Sequence, residues 1–366
     1  MKVFFEGKTL TFQKRGGISR LVFEVIKSLN RKEDLEKILY RGLFVDKYPF
    51  QKEWFNKCYG IRKPYFLNSR AFSLIDNLGM EMAYQKNANE DLVFHSFFYR
   101  VPKHPKGPVV VHAHDMISEI FGSNKKIKDY KQNSFNKADI IISVSDSTTN
   151  DLNRLFSIDP KKIVKIPYAV SDFFAEMSNQ KKDLERPVRP YMLYVGMRYF
   201  PYKNFDLLLD VFIKEKFYLD FDLVLFGGEN ELTDIQKEKI ANTSEKGSWV
   251  KQKFGDDYEL FKAYSNASVF VFPSLYEGFG IPPLEAMACS CPVVASNASA
   301  IPEVVGDAGL LFDPRSQNDL AKQIKKVIDD KFLVSDITAK GKQRINNFTW
   351  DGTADKIYEV YSNLLK

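Results

Sequence analysis

Residues 267–285 read ASVFVFPSLYEGFGIPPLE, and this stretch decides the fold class. It opens with a short apolar run, 267–272, of the kind that a parallel sheet buries on both faces. A loop with two glycines follows. Ile281-Pro282 then begins a helix, because proline at a helix start removes no useful hydrogen-bond donor. The stretch therefore predicts one strand–loop–helix unit of an α/β fold.

The same alternation of β-rich and helical segments extends in both directions. VVVH at 109–112 and DIIISV at 139–144 are further apolar runs typical of buried parallel strands. The predicted strands are 2–6, 38–44, 92–95, 109–114, 139–144, 163–167, 192–196, 223–226, 250–254, 269–273, 293–295 and 310–312. This rhythm predicts two doubly wound, Rossmann-like α/β domains.

A polar segment with two prolines, EMSNQKKDLERPVRP at 176–190, has the composition of a linker between the two halves. The predicted domains are 1–175 and 191–348, followed by an amphipathic helix within 349–366. Ligands of doubly wound domains bind beyond the carboxyl ends of the strands, and two facing domains would enclose a cleft.

Charge and cysteine content exclude several classes of protein. The net charge of +6 without a dense basic block argues against nucleic-acid binding. Three cysteines indicate a reducing compartment rather than a disulfide framework. The N-terminus lacks the apolar run of a signal peptide, and no stretch approaches the roughly 18 apolar residues of a membrane span. We therefore expect a cytoplasmic protein.

Two basic stretches leave two interpretations open. KHPK at 103–106 and KKIKDYK at 125–131 fit a solvated loop and a solvated helix face. The other interpretation is a surface that contacts an anionic membrane or a lipid diphosphate, which would bring the protein to the inner face of the membrane.

The central stretch also carries candidate binding residues. Gly278 and Gly280 let the backbone approach a ligand, and amide groups at a helix N-terminus favour anionic oxygen. Glu277 in the loop and Glu285 in the helix could accept hydrogen bonds from sugar hydroxyls. The alternative is one helix-stabilising carboxylate and one surface glutamate.

Two further segments follow strand ends. YVGMRYFPYKN at 194–204 places Arg198 and Lys203 where cations can face a diphosphate, with solvated charges as the alternative. Gly16 and Gly17 precede a helix and form either a substrate approach or a plain turn. They do not complete GxGxxG, so the fingerprint of dehydrogenases is missing.

Histidines mark the end of another strand. His114 in HAHD suits a hydroxyl or phosphate partner facing a cleft, whereas His112 suits a structural role. His95 either lines the same cleft or is a core histidine. The His-x-His pair has no evident third ligand, so we expect no metal site.

Together these segments resemble family 4 glycosyltransferases, which are retaining enzymes with the GT-B fold. The 42 residues PSLYEGFGIPPLEAMACSCPVVASNASAIPEVVGDAGLLFDP, from Pro273, are very similar to the signature of that family. KRGGISR, HAHDM, ADIIISVSDST and YVGMRYFPYKN match its weaker motifs. FTWDGTADKIYEVYSNLL resembles its C-terminal segment, whose helix packs back across both domains.

The resemblance implies a role for each candidate. Glu285 would bind the ribose hydroxyls of the nucleotide, and Glu277 would contact the donor sugar. Arg198 and Lys203 would neutralise the diphosphate. The remaining implied contacts are the backbone of Gly278, Phe279, Gly280 and Ile281 on the diphosphate, Gly16 and Gly17 on the phosphate or acceptor, and His114 near the transferred sugar.

The implied reaction is the transfer of a hexose from a UDP- or GDP-sugar to a glycan or lipid-linked glycan, as in bacterial surface polysaccharide synthesis. Retention would come from front-face substitution without an enzymatic nucleophile. No Asp-x-Asp motif stands out, so neither a metal nor another cofactor is expected. Two positions depart from the family: Ser290 replaces a common glycine, and Tyr168-Ala169 replaces a common Asn-Gly.

Two other functions stay open. One is a GT-B-shaped sugar-nucleotide epimerase, which the Glu277 and Glu285 pair disfavours, because such epimerases rely on other carboxylates. The other is a non-catalytic sugar-nucleotide-binding subunit, which the complete set of candidate residues disfavours.

Overall fold

The computed structural model describes residues 1–12, 17–45, 47–62, 69–122, 124–179, 184–228 and 232–366, with the backbone alone for 69–72. The chain forms two compact units. Unit 1 comprises Met1–Tyr168 and Trp350–Lys366, and unit 2 comprises Ala169–Thr349.

Unit 1 is built on a sheet whose described strand pairs are all parallel, in the order β3-β2-β1-β4-β5-β6-β7. Its strands are β1 Lys2–Glu6, β2 Glu36–Phe44, β3 Lys57–Arg62, β4 Leu92–Ser96, β5 Val109–Ala113, β6 Ile140–Ser143 and β7 Ile163–Lys165. Its helices are α1 Gly17–Leu29, α2 Ser69–Gln85, α3 Ile117–Ile120, α4 Lys125–Lys137 and α5 Asp146–Phe156, together with the last helix of the chain.

Unit 2 has a second parallel sheet, in the order β10-β9-β8-β11-β12-β13. Its strands are β8 Tyr191–Val195, β9 Asp222–Phe226, β10 Val250–Lys253, β11 Val269–Phe272, β12 Val293–Ser296 and β13 Leu310–Phe312. Its helices are α6 Asp172–Asn179, α7 Phe205–Lys214, α8 Asp234–Ala241, α9 Asp257–Asn266, α10 Ile281–Ala288, α11 Ile301–Val305, α12 Gln317–Asp329 and α13 Lys331–Arg344. Short 3-10 turns lie at Lys8–Thr11, Lys52–Trp54, Pro160–Lys162, Pro201–Lys203, Phe217–Leu219 and Ile345–Asn347.

The central strands are buried on both faces, as their apolar sequences predict. Every residue of β4, β5 and β11 is buried. In unit 2 Trp249 is fully buried, and its ring stacks on that of Phe212 in α7 at 5.0 Å between centroids. Burial of such large aromatic side chains contributes much of the energy that holds helices against a sheet.

Side-chain caps fix several helix starts. Ser145 accepts a hydrogen bond from the Thr148 amide at 3.0 Å and begins α5. Asp256 accepts from two amides at the start of α9. These polar residues satisfy amide groups that have no partner within the helix.

The last helix, α14 Trp350–Leu364, belongs to unit 1 and packs against α1. Ion pairs join it to the segment that follows α1, with Arg31 2.6 Å from Asp355. The Thr353 hydroxyl donates to the Pro167 carbonyl at 2.9 Å. Unit 1 is therefore completed by the end of the chain.

The ends of unit 2 meet, because the Val170 amide donates to the Phe348 carbonyl at 3.3 Å. The chain passes from unit 1 to unit 2 after Tyr168, and α6 includes residues 176–179 of the predicted linker. Residues 180–183 of that linker lie outside the described residues. The domain boundaries given by the sequence stay a prediction.

Candidate active site

Two loops of unit 2 carry most of the predicted binding residues. One follows β8 and the other follows β11, and these strands are neighbours at the point where the strand order of the sheet reverses. Ligands of doubly wound proteins bind at such a switch point, beyond the carboxyl ends of the strands. Arg198 and Lys203 lie in the first loop and Glu277 in the second.

An ion pair joins the two loops. Lys203 Nζ lies 2.7 Å from Glu277 Oε1, and the two side chains are 20% and 12% exposed. The Glu277 amide donates to the Ser299 hydroxyl at 2.8 Å, which fixes the backbone beneath the carboxylate. The switch point thus presents one ammonium and one carboxylate, and both groups are partly accessible.

The backbone beside Lys203 is held by Asn204. This residue has a left-handed conformation, with φ of 53°, which asparagine tolerates better than most residues. Its side-chain amide donates to the carbonyls of Pro273 at 3.0 Å and Pro314 at 2.9 Å. Asn204 therefore fixes the loop that carries Lys203 against the strand end that carries Glu277.

Arg198 is buried rather than solvated, with 4% exposure. Its guanidinium donates to the carbonyls of Gly227 at 2.7 Å and Gly228 at 3.3 Å, in the turn after β9. Both glycines have positive φ, and a Cβ on Gly228 would lie 3.2 Å from Arg198 Nη1. Burial lowers the pKa of the Arg198 guanidinium. The turn thus holds a cation in place beside the switch point.

The pKa of the buried Tyr194 hydroxyl depends on charges in both loops. Burial raises its pKa, the Glu277 carboxylate raises it further, and the Arg198 guanidinium lowers it. The hydroxyl donates to the Met197 carbonyl at 2.9 Å. Glu277 and Arg198 therefore act electrostatically on the same buried group.

The start of α10 differs in one respect from an ordinary anion-binding helix end. Gly280, with φ of 121°, precedes the helix, and Pro282 and Pro283 occupy its first turn. Because proline has no amide hydrogen, that turn offers fewer donors than usual. Donors to an anion would come mainly from the backbone of 278–281. Phe279 anchors this loop by packing its ring edge-to-face against Phe348 at 5.7 Å.

Glu285 is buried inside α10, with 5% exposure, so the interpretation as a surface glutamate is wrong. The Tyr264 hydroxyl, on α9, donates to Glu285 Oε2 at 3.1 Å. Sequence reasoning missed Tyr264 because it is 21 residues away in a different helix. A buried carboxylate held by a tyrosine is oriented well enough to accept further hydrogen bonds in a fixed direction.

His114 lies in unit 1, and both ring nitrogens have partners. Nδ1 contacts the Tyr168 hydroxyl, and Nε2 contacts the Phe97 carbonyl. A carbonyl can only accept, so Nε2 carries the hydrogen and Nδ1 accepts from Tyr168. Burial lowers the pKa of His114 to about 4, which keeps the ring neutral. Tyr168, which stands where the family commonly has asparagine, thus supplies a hydrogen-bond partner to His114.

His114 ends a row of three stacked imidazoles. Ring centroids are 5.8 Å apart between His114 and His112, and 4.8 Å apart between His112 and His95. His95 is fully buried and contacts the Tyr361 hydroxyl of α14, so it is a core histidine. His112 is buried between the other two rings, in agreement with its predicted structural role.

Gly17 is the first residue of α1, and a Cβ added there would meet no atom within 4 Å. Gly16 lies outside the described residues.

Over the described ranges, no three His, Cys, Asp or Glu side chains are grouped so that they could hold a metal ion. No helix in the same part of the chain is long and apolar enough to cross a membrane.

Two protein-family models match the chain in succession. The model described as Glycosyltransferase Family 4 matches residues 15–172, and the model described as Glycosyl transferases group 1 matches residues 176–344. The chain is 27% identical to the O-antigen chain mannosyltransferase B of Escherichia coli, in an alignment that covers 100% of both chains.

Solved structures share the fold at low sequence identity. HepE of Anabaena, determined in complex with UDP and glucose, is 16% identical, with a TM-score of 0.72 and 99% coverage of both chains. WaaG, a glycosyltransferase involved in lipopolysaccharide biosynthesis, is 14% identical, with a TM-score of 0.70 and 99% coverage of both chains.

The two parallel-sheet units and these similarities define a glycosyltransferase with the GT-B fold, which confirms the predicted fold class. The chain belongs to family 4 of the glycosyltransferases, as its sequence motifs predict.

Proposed function

We propose that this glycosyltransferase moves a hexose, mannose in the first instance, from a UDP- or GDP-linked donor to a glycan or lipid-linked glycan of a bacterial surface polysaccharide. A relative that aligns over its full length is an O-antigen chain mannosyltransferase, which supports mannose and a glycan acceptor. The UDP complex of HepE supports a nucleotide diphosphate donor. We further propose retention of the anomeric configuration without a metal ion.

The observation that carries this proposal is the ion pair of Lys203 and Glu277 at the switch point of unit 2. A donor brings a diphosphate, which needs a cation, and sugar hydroxyls, which need an acceptor. The ammonium would turn to the diphosphate, and the carboxylate would accept from the sugar. Before the donor binds, the ion pair holds both groups in position; the donor then takes the place of each group's partner.

The other residues would complete the donor site. The fixed charge of Arg198 and the backbone of Gly278, Phe279, Gly280 and Ile281 would favour the diphosphate. Glu285, oriented by Tyr264, would accept from the ribose hydroxyls. From unit 1 we keep three candidates on the basis of the family resemblance, with His114 near the transferred sugar and Gly16 and Gly17 on the phosphate or acceptor.

In the proposed step, the bond between the anomeric carbon and the diphosphate oxygen breaks. The acceptor hydroxyl oxygen bonds to the same face of that carbon, and its proton passes to the departing diphosphate oxygen. Negative charge grows on the diphosphate as the bond breaks. Fixed cations and amide dipoles that face this charge stabilise the transition state more than the ground state.

Replacement of Lys203 tests the proposal. We expect Lys203→Ala to lower kcat/KM for transfer by at least about tenfold, because one electrostatic partner of the leaving group is lost. Lys239→Ala is the matched control, since Lys239 forms a similar pair with Asp210 at 2.6 Å on the α7–α8 surface. Transfer is measured with GDP-mannose and with UDP-glucose, and NMR of the product gives the anomeric configuration. Unchanged kcat/KM in Lys203→Ala would contradict the assigned site.

The same assay separates the alternatives. Incubation with each donor and no acceptor, followed by NMR, reveals an epimer if the protein is an epimerase. Donor binding by calorimetry without turnover over a panel of mannosylated acceptors would indicate a non-catalytic subunit.

A further inference from the structure

The loop that follows β8 carries a ladder of three aromatic rings. Tyr202 lies next to the Lys203 ammonium, whose Nζ is 5.4 Å from the centre of the tyrosine ring. Phe200 stacks on Tyr202 with 5.4 Å between ring centroids, and Tyr199 packs on Phe200 at 4.1 Å. The ladder therefore begins beside the ion pair of Lys203 and Glu277 and ends at Tyr199.

Exposure to solvent increases along this ladder. Tyr202 and Phe200 are partly buried, whereas Tyr199 is 43% exposed. Met197, on the same loop, is 44% exposed, and the Tyr199 hydroxyl donates to its sulfur at 3.4 Å. Single exposed apolar side chains are normal, but neighbouring ones mark an interaction surface. Met197, Tyr199 and Phe200 form such a surface, here called the aromatic platform.

The backbone that carries the platform is fixed at both ends. Arg198 is buried and bound to the turn after β9, and Asn204 donates to two carbonyls at the ends of other strands. The Leu275 amide, in the loop after β11, donates to the Tyr202 carbonyl at 2.7 Å. None of these bonds involves the outer ring of the ladder. The platform is therefore preorganised, and a ligand that binds to it orders little of the protein.

The position of the platform favours the acceptor over the donor nucleotide. In the proposed function, Lys203 and Glu277 face the diphosphate and the donor sugar, so the anomeric carbon lies beside this ion pair. The acceptor hydroxyl must reach the same carbon, whereas the nucleobase is separated from it by the ribose and the diphosphate. The platform starts at this ion pair, beyond the carboxyl end of β8, where ligands of such sheets bind. An acceptor bound for reaction therefore has an aromatic surface within reach.

We propose that the aromatic platform binds a sugar ring of the acceptor glycan, with the open face of Tyr199 against the C–H groups on one face of that ring. This inference rests on the proposed function, in which the acceptor is a glycan. The face of an aromatic ring is the negative side of its quadrupole and attracts C–H groups, and both surfaces lose contact with water on stacking. The three side chains of the platform are uncharged, which suits a neutral hexose.

Acceptor kinetics test the platform, with mannotriose as acceptor and GDP-mannose or UDP-glucose as donor. Tyr199→Ala is expected to raise the acceptor KM about tenfold and to leave the donor KM within about twofold, because only the acceptor loses a stacked ring. Tyr199→Phe keeps the ring and is expected to match wild type. Phe332→Ala is the matched control, since it removes a ring that is 90% exposed on α13. Both positions are exposed, so the melting temperatures should equal that of wild type.

Binding without turnover separates this inference from the proposed function. Saturation-transfer NMR measures the binding of mannotriose, maltotriose and chitotriose to protein that holds UDP or GDP. A trisaccharide signal that Tyr199→Ala loses and Tyr199→Phe retains supports the platform. Absence of transfer from both donors would contradict the proposed function, and this binding experiment would still decide the platform.

Four results would overturn the platform. The first is an acceptor KM or saturation transfer that Tyr199→Ala leaves unchanged, and the second is a wild-type protein that binds none of the three trisaccharides. The third is an equal loss in Tyr199→Phe, which would assign binding to the hydroxyl instead of the ring face. The fourth is a raised Kd for UDP or GDP with unchanged trisaccharide binding in Tyr199→Ala, which would assign the ring to the nucleobase.

Discussion

The carboxylate of Glu285 shows how a buried side chain can be prepared for a ligand. One oxygen accepts a hydrogen bond from the Tyr264 hydroxyl, and the side chain is buried within α10. In the proposed donor site, this arrangement orders the ribose without a change of rotamer. The cost of orienting the acceptor is therefore met during folding rather than during binding.

We predict that Glu285→Gln lowers kcat/KM for the donor by about tenfold or more, because one acceptor oxygen replaces two. The glutamine oxygen can still accept from Tyr264, so the melting temperature should change little. Steady-state kinetics and thermal unfolding measure the two effects. Glu259→Gln, an exposed position on α9, is the control. Donor kinetics equal to wild type in Glu285→Gln would remove Glu285 from the site.

At single positions, the sequence patterns predicted which charged residues lie near strand ends but not which residues they pair with. Lys203 and Glu277 each follow a strand, and their sheet neighbours could not be read from spacing. Their pairing depends on β8 lying beside β11. The same limit hid the bond between Tyr168 and His114, since those residues are 54 positions apart.

Among the elements, the apolar runs predicted the buried strands because both faces of those strands are covered. Strand β3 was missed for the opposite reason. It is an edge strand, and KCYGIR is exposed at almost every residue, so it carries neither an apolar run nor an alternating pattern. Helix α13 begins at Lys331, because Asp330 accepts from the Leu333 amide and caps it.

Helix α14 is held to unit 1 more by its buried face than by its ion pairs. Asp351 and Asp355 are largely exposed, so their pairs with Arg31 contribute little. Ile357 is fully buried. We predict that Ile357→Ala lowers the unfolding free energy of unit 1 by about 2–5 kcal/mol, through lost burial and a residual cavity.

Urea unfolding of the whole chain measures this effect, with Lys356→Ala, exposed on the same helix, as control. If both variants unfold at the same urea concentration, the packing of α14 does not support unit 1.

For the molecule as a whole, the repeated alternation along the sequence was sufficient for two parallel α/β units. The polar composition of 176–190 predicts a linker, and the exact domain boundaries stay a prediction. The compact units divide after Tyr168, and α6 includes residues 176–179. Composition reports solvation of a segment, and compactness depends on long-range contacts that composition does not encode.

Acid is predicted to destabilise the folded protein through the stacked histidines. Burial lowers the pKa of His95 to about 3 and that of His114 to about 4, and it lowers the pKa of His112 well below the usual 6.5. In the unfolded chain these rings bind protons near pH 6.5. Stability is therefore fully present above about pH 6.5 and falls below it, by about 1.4 kcal/mol per pH unit for each ring.

Urea unfolding between about pH 7.5 and about pH 5 measures this dependence. His112→Phe is expected to reduce the slope, because one proton uptake on unfolding is removed. His104→Phe serves as the control, since His104 is exposed. A slope that His112→Phe leaves unchanged would assign the acid sensitivity to other groups.

Unit 1 is formed by two separate parts of the chain, and this affects the order in which the units fold during biosynthesis. Unit 2 is continuous in the chain, and its two ends are joined by the hydrogen bond between Val170 and Phe348. All of unit 2 therefore leaves the ribosome before α14 does. The nascent chain can complete its second unit while the first still lacks α14, the helix whose Tyr361 contacts the buried His95, so the unit made first is the one that finishes folding last.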